Sequence, residues 1–207
     1  MTAITCARVW PLSFAETVLL ESFMADPSAG WHAEHVSFAR LLDLLEKQVV
    51  AVHGGERANY ELMRDIVSYL RHFPDRFHHP REDVAFARLV ERAPDMQLPI
   101  NRLLQEHRVI AAAGEELLMR LNEMDQGGVI ARATVEAAAA TYLVYYRHHL
   151  ATEEREILPR ATQLLTRDDW AAVVAAVPAS PDPLFGDGGE AGYQELRRQI
   201  LLKARAP

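Results

Sequence analysis

Apolar residues recur along this chain at intervals of three and four positions, which is the spacing of one face of an α-helix. Stretches of alternating β-branched residues, which would indicate strands, are weak throughout the sequence. Four long helical segments joined by short connections predict an all-α protein folded as an up-down-up-down four-helix bundle. The segments run over about 28–53, 59–92, 100–125 and 129–165.

The apolar stripes also predict which side chains face the core. Pro74 and Pro80 lie inside the second segment, and each should kink the helix because proline has no backbone N–H. Gly127 or Gly128 ends the third segment. The inward stripe of the first segment is Val36, Phe38, Leu41, Leu42, Leu45 and Val49, and that of the fourth is Val135, Tyr142, Val144, Tyr145, Ile157 and Leu158.

We expect one domain over residues 1–207, with the bundle itself at 27–166 and extra short helices at both ends. The N-terminal segment 1–26 is peripheral. The C-terminal part, 167–207, contains a short amphipathic helix, a loop rich in proline and glycine, and a terminal helix. Both ends are expected to pack against the bundle.

Composition narrows the possible functions. Apolar residues make up 49% of the 207 positions, enough for a core that needs no cross-links, and Cys6 is the only cysteine. A net charge of −7 without a dense basic run argues against a nucleic-acid partner. The best apolar run, residues 170–177, is too short to cross a membrane, and the N-terminus makes a poor signal peptide. These features favour a cytoplasmic protein.

Histidine and glutamate repeat at a spacing that suits metal binding. Two side chains four positions apart on a helix point the same way, and His78 with Glu82 and His149 with Glu153 have this spacing. The other two helices each carry a Glu-His dipeptide that places a histidine near the apolar stripe. Each pair of helices thus offers a lone histidine and then a His-x-x-x-Glu. The lone histidines are His35 and His107.

Four imidazoles and two carboxylates without thiolate suit iron, manganese or zinc. Two metal ions about 3.5–4 Å apart can share bridging oxygens. If Glu82 and Glu153 both bridge, each metal has two histidines, an oxo or hydroxo bridge and one open position. We interpret the set as two non-haem iron ions, for which manganese or zinc can substitute. The competing interpretation is a hydrogen-bonded His/Glu layer without metal.

The ordered motifs "EH", "HHPRE", "EH" and "HHLATEEREILP" resemble the hemerythrin-like HHE cation-binding family over about residues 27–166. The resemblance implies a four-helix bundle around a di-iron site. Oxygen-carrying hemerythrins have a second histidine on the third helix, where this chain has Ala111. The set is more similar to that of the bacterial iron-centre repair proteins. Carried over by position, the ligands are His35, His78, Glu82, His107, His149 and Glu153.

The expected function is to sense or react with oxygen, peroxide or nitric oxide at the di-iron centre. The alternatives are an iron-donating repair factor for damaged iron–sulfur centres and a regulatory interaction protein stabilised by its metal. His79 and His148 are interpreted as groups outside the ligand set, although a register shift of one residue would bring His79 in. Tyr145, one turn before His149, is expected to pack in the core.

Overall fold

The computed structural model describes residues 28–126, 128, 130–177, 180, 182–185 and 193–204, and these contain helices and connections without a strand. The predicted all-α bundle is confirmed. The expected N-terminal helix and Gly127 lie outside the described residues. No helix in the described ranges is both long and apolar enough to cross a membrane.

Four rods form the bundle, and two of them are interrupted. The first is α1 (Ser28–Gly54), and the third is α4 (Gln97–Asp125). The second consists of α2 (Tyr60–Phe73), a π-helical turn (Pro74–His78) and α3 (His79–Arg92). The fourth consists of α5 (Arg132–Thr152), a second π-helical turn (Glu153–Ile157) and α6 (Leu158–Leu164). Outside the rods lie a 3₁₀ turn (Pro94–Met96), α7 (Arg167–Ala176) and α8 (Gln194–Ala204).

Local signals account for the helix ends. Gly55 adopts a left-handed φ of 75° directly after α1, a conformation that glycine accepts without steric cost. Asn59 caps α2 by accepting a hydrogen bond from the backbone N–H of Leu62. Thr166 and Asp169 form a reciprocal capping box at the start of α7.

Prolines explain the two π-helical turns. Pro80 and Pro159 each lie two residues beyond such a turn and cannot donate the backbone bond of a regular α-helix. The chain instead closes wider rings, in which His79 N–H donates to Pro74 O and Leu158 N–H donates to Glu153 O. The kink predicted within the second segment is therefore a local widening. Such widened turns occur often at functional sites.

The core is divided into two apolar halves. One half contains Phe38, Phe73 and Ile110, and the other contains Trp31, Phe86 and Ile157. Between them, at the level of both π-helical turns, lies a layer of buried histidine and glutamate.

The burial pattern corrects three predicted core positions. Val36, Val144 and Tyr145 are 38%, 66% and 41% exposed, whereas the neighbouring Tyr146 is fully buried. Both C-terminal helices contact the bundle. Trp170 of α7 packs edge-on against Trp31, with ring centroids 5.6 Å apart, and Leu196 of α8 joins the core.

Candidate metal centre

The six residues predicted to bind metal meet in the buried layer between the two apolar halves. None of them is more than 9% exposed. Each rod supplies at least one of them, and the two glutamates come from the two rods that carry π-helical turns. The structure therefore brings the whole predicted set together: His35, His78, Glu82, His107, His149 and Glu153.

Within this layer, ligand atoms converge in two overlapping groups that could each hold a metal ion. The first, named here the His35 position, comprises His35, His78 and Glu82. The second, named the His107 position, comprises Glu82 again with three histidines. The shared carboxylate makes the two groups neighbours. Those three histidines are His79, His107 and His149.

The carboxylates of Glu82 and Glu153 each lie near histidines of both positions. Glu82 Oε1 lies 3.0 Å from His78 Nε2, and Glu82 Oε2 lies 3.7 Å from His107 Nε2. Glu153 Oε2 lies 3.6 Å from His35 Nε2 and 3.2 Å from His149 Nε2. Each carboxylate can therefore contribute an oxygen to both positions.

His79 is outside the ligand set predicted from the sequence, whereas the structure places it among the candidate metal donors. It is 4% exposed and its ring stacks on that of His107, with centroids 4.3 Å apart, whereas His148 is on the surface. The donor set is thus five histidines and two glutamates, divided unequally between the positions. Ala111 of the third rod has no nitrogen that could bind metal, and His79 of the second rod places one in the layer instead.

The sequence feature that marks the burial of His79 is the proline that follows it. Adjacent side chains on a regular α-helix diverge by about 100°, so only one of an adjacent pair would be expected to face inward. The π-helical turn before His79 widens the helix, and both His78 and His79 are buried there. Pro80, directly after the pair, marks this widened turn in the sequence.

A carboxylate lies against the outer nitrogen, Nδ1, of every one of the five histidines. A carboxylate can only accept, so each such contact favours hydrogen on Nδ1 and leaves Nε2 free to face the centre. Asp75 contacts His79 at 3.3 Å within its own rod. The other four contacts join different rods. Three are hydrogen bonds: Glu34 to His78 at 2.5 Å, Asp83 to His107 at 2.8 Å and Glu154 to His35 at 2.6 Å. In the fourth, Glu106 lies 3.5 Å from His149 Nδ1 without forming a hydrogen bond.

Those four carboxylates form a closed ring around the bundle. The carboxylate of each rod contacts a histidine of the next rod along the chain, and the carboxylate of the fourth rod contacts the histidine of the first. Three of them are Glu34, Glu106 and Glu154. Each is adjacent in sequence to a residue of the predicted ligand set, but each orients a histidine on a different rod.

Burial and neighbouring charges shift the pKa values in opposite directions across the layer. Burial disfavours the charged form of His35, but Glu154 and Glu82 outweigh it and raise the pKa of His35 to about 10. Burial and the nearby His107 lower the pKa of His149. Burial and the charge of Glu82 raise the pKa of Glu153 to about 7.

Unpaired buried atoms in the layer fit the presence of a metal ion. Buried polar atoms are almost always paired, because leaving them unpaired costs about 1–3 kcal/mol each. Here several atoms that face the centre have no hydrogen-bond partner within the described residues. A cation coordinated by all of them would satisfy the group. They are Nε2 of His79, His107 and His149, Oε2 of Glu82, and both side-chain oxygens of Glu153.

The fold and the layer together define a helical bundle whose buried histidines and carboxylates could hold a metal cation. The sequence model of the hemerythrin HHE cation-binding domain family matches residues 26–161. The chain therefore belongs to that family. A search of curated proteins and a search of solved structures found no match to the sequence.

Replacing His79 with alanine tests whether the added histidine is a ligand. We expect metal at the His107 position to survive dialysis less well than in wild type, lowering the metal content, because only this position loses a nitrogen and its neighbour keeps its full donor group. The control is His53→Ala, which removes an exposed histidine at the end of the first rod and should leave the metal content unchanged. Full metal content in His79→Ala would remove His79 from the ligand set.

Proposed function

We propose that this protein holds a non-haem di-iron centre and uses it to sense or react with oxygen, peroxide or nitric oxide. The observation that carries the proposal is the pair of donor groups sharing Glu82, built from nitrogen and oxygen alone. Such donors suit iron, with manganese or zinc as substitutes. An iron pair supplies open coordination sites and electrons to a small ligand.

The unequal division of donors indicates where a small ligand would bind. With both glutamates bridging, the His107 position has three histidines and the His35 position has two. Two histidines and a carboxylate with open positions are the donor set used by non-haem iron enzymes that react with oxygen. The His35 position is therefore the better candidate for the reactive one.

A cleft beside His35 supports this assignment. It has a volume of about 330 Å³, and its wall is mainly apolar, with Val36, Ala39 and Leu150 on it. Neutral diatomic molecules enter apolar surroundings more readily than ions do, because they lose little hydration. We call this opening the His35 cleft.

The chain's own residues have separable roles in this proposal. His35 and His78 provide nitrogens at the reactive position, and Glu154 and Glu34 hold those imidazoles in orientation from other rods. Phe38 packs edge-on against His78, with ring centroids 5.0 Å apart, and excludes water from that side. The His35 position is therefore packed by aromatic side chains on its inner side, and its outer side borders the cleft through His35 and Glu154.

The test is the optical spectrum of protein loaded with ferrous iron without air and then exposed to oxygen or to nitric oxide. We expect a new near-ultraviolet and visible absorption in each case. His35→Ala should bind iron at the His107 position but lose this response. An iron-loaded protein whose spectrum ignores both gases would contradict the proposal.

A further inference from the structure

A second cleft opens on the other side of the layer, between the second and third rods. It has a volume of about 170 Å³, and we call it the Ala111 cleft. Ala111 is half-buried in its wall, and the short side chain leaves the opening clear. Also in the lining are His79, His107, Asp75, Asp83 and Arg108.

The inner end of the Ala111 cleft is formed by two candidate metal donors. His79 and His107 stack there with their ring planes 17° apart, and both Nε2 atoms are buried without a hydrogen-bond partner. His107 is also the most exposed of the seven donors, at 9%. The cleft thus ends at the rings of His79 and His107, whose buried Nε2 atoms belong to the His107 position.

The rim of the Ala111 cleft is suited to cations. Asp75 and Asp83 present carboxylates, and Asp83 is 48% exposed. Arg108 is the cation in the lining, where its Nε donates to the backbone oxygen of Leu104 at 3.2 Å, and Arg71 lies 3.9 Å from Asp75. The His35 cleft has one carboxylate, Glu154, against one arginine, Arg147, beside its apolar wall. A divalent cation would therefore meet favourable charge at the Ala111 cleft and little at the His35 cleft.

We propose that the Ala111 cleft is the route by which a divalent metal ion enters the centre. Asp75 and Asp83 attract the hydrated ion, the gap above Ala111 admits it, and the Nε2 atoms of His79 and His107 replace its water. This inference rests on the metal centre proposed above. It adds that ions and small neutral ligands reach the layer through different clefts.

The experiment follows cobalt(II) uptake by the metal-free full-length protein in a stopped-flow spectrophotometer. Ala111→Leu fills the cleft with a good helix former at a half-buried helical position. Ala39→Leu is the matched control, because Ala39 follows His35 by four positions and lines the His35 cleft, as Ala111 follows His107 by four. Circular dichroism checks that both variants are folded.

We expect Ala111→Leu to take up cobalt roughly tenfold more slowly than wild type, a barrier change of about 1.4 kcal/mol, with the same final metal content. Ala39→Leu should match wild type. Ala111→Lys should be slower still at low ionic strength. The extra effect of the lysine should shrink with added salt, because about 0.1 M salt screens charges beyond roughly 10 Å.

Three results would overturn the entry route. Wild-type uptake rates in both Ala111→Leu and Ala111→Lys would show that the ion enters elsewhere, with the centre itself intact. A slower rate in Ala39→Leu alone would assign entry to the His35 cleft. A lower final metal content in Ala111→Leu, at an unchanged rate, would make residue 111 part of the binding site. Absence of cobalt uptake by wild type would instead refute the metal centre, and the route with it.

Discussion

Glu82→Gln will abolish binding of both metal ions. Glu82 belongs to both donor groups, with one oxygen towards His78 and the other towards His107. Glutamine has nearly the same shape but carries no charge, and its amide nitrogen cannot coordinate a cation. We expect affinity at both positions to fall by more than about 100-fold, the upper range for loss of an outer partner of a ligand. Metal analysis after dialysis measures this directly.

Glu156→Gln is the matched control for this loss. Glu156 also follows a candidate donor closely in the fourth rod, but it is exposed and pairs with Arg155. It should keep the full metal content. If Glu82→Gln loses one ion and keeps the other, the two positions do not share this carboxylate, and the centre is two separate sites.

Removing the metal with a chelator will lower the melting temperature by roughly 10 °C. A ligand present at 1,000 times its dissociation constant stabilises the native state by about 4 kcal/mol, and each kcal/mol shifts the melting temperature of a chain this size by about 2–4 °C. The structural reason is the set of unpaired buried atoms that face the centre, among them both carboxylate oxygens of Glu153. Thermal melts of loaded and chelated protein give the difference.

The same chelator should leave the melting temperature of Glu82→Gln unchanged, because that variant has no metal to lose. A loaded wild-type protein that melts at the same temperature as the chelated one would mean that the His/Glu layer is stable through its own hydrogen bonds. That outcome would favour the polar layer without metal.

The bundle could be predicted because its helices follow simple periodicity. Most of the core positions from Phe38 to Leu45 face inward as their spacing indicates. Tyr145 and Val144 were mistaken for core because they are apolar, whereas the buried positions of α5 run through Val135, Ala139, Tyr142 and Tyr146. Apolar character alone does not establish burial, since much of any protein surface is apolar.

The candidate site was predictable in part for the same reason. The i, i+4 pairs His78–Glu82 and His149–Glu153 could be placed on inward faces from spacing alone. His79 could not, because its burial depends on a π-helical turn that periodicity does not describe. The prolines gave its location, but they were interpreted as kinks.

Which histidine each outer carboxylate contacts could not be predicted from the sequence. Whether Glu34 faces solvent or His78 depends on how two rods are rotated relative to each other, and no pattern within either rod records that rotation. The same holds for Glu106 and His149. Their role became visible only with the packed bundle, where adjacent rods bring each pair together.

The most direct test of the proposed centre is an anomalous difference map, measured at the iron absorption edge on crystals of the iron-loaded protein. The account predicts two peaks about 3.5–4 Å apart, one among His35, His78 and Glu82, and the other among His79, His107 and His149. A single peak, or none within the layer, would contradict a di-iron centre.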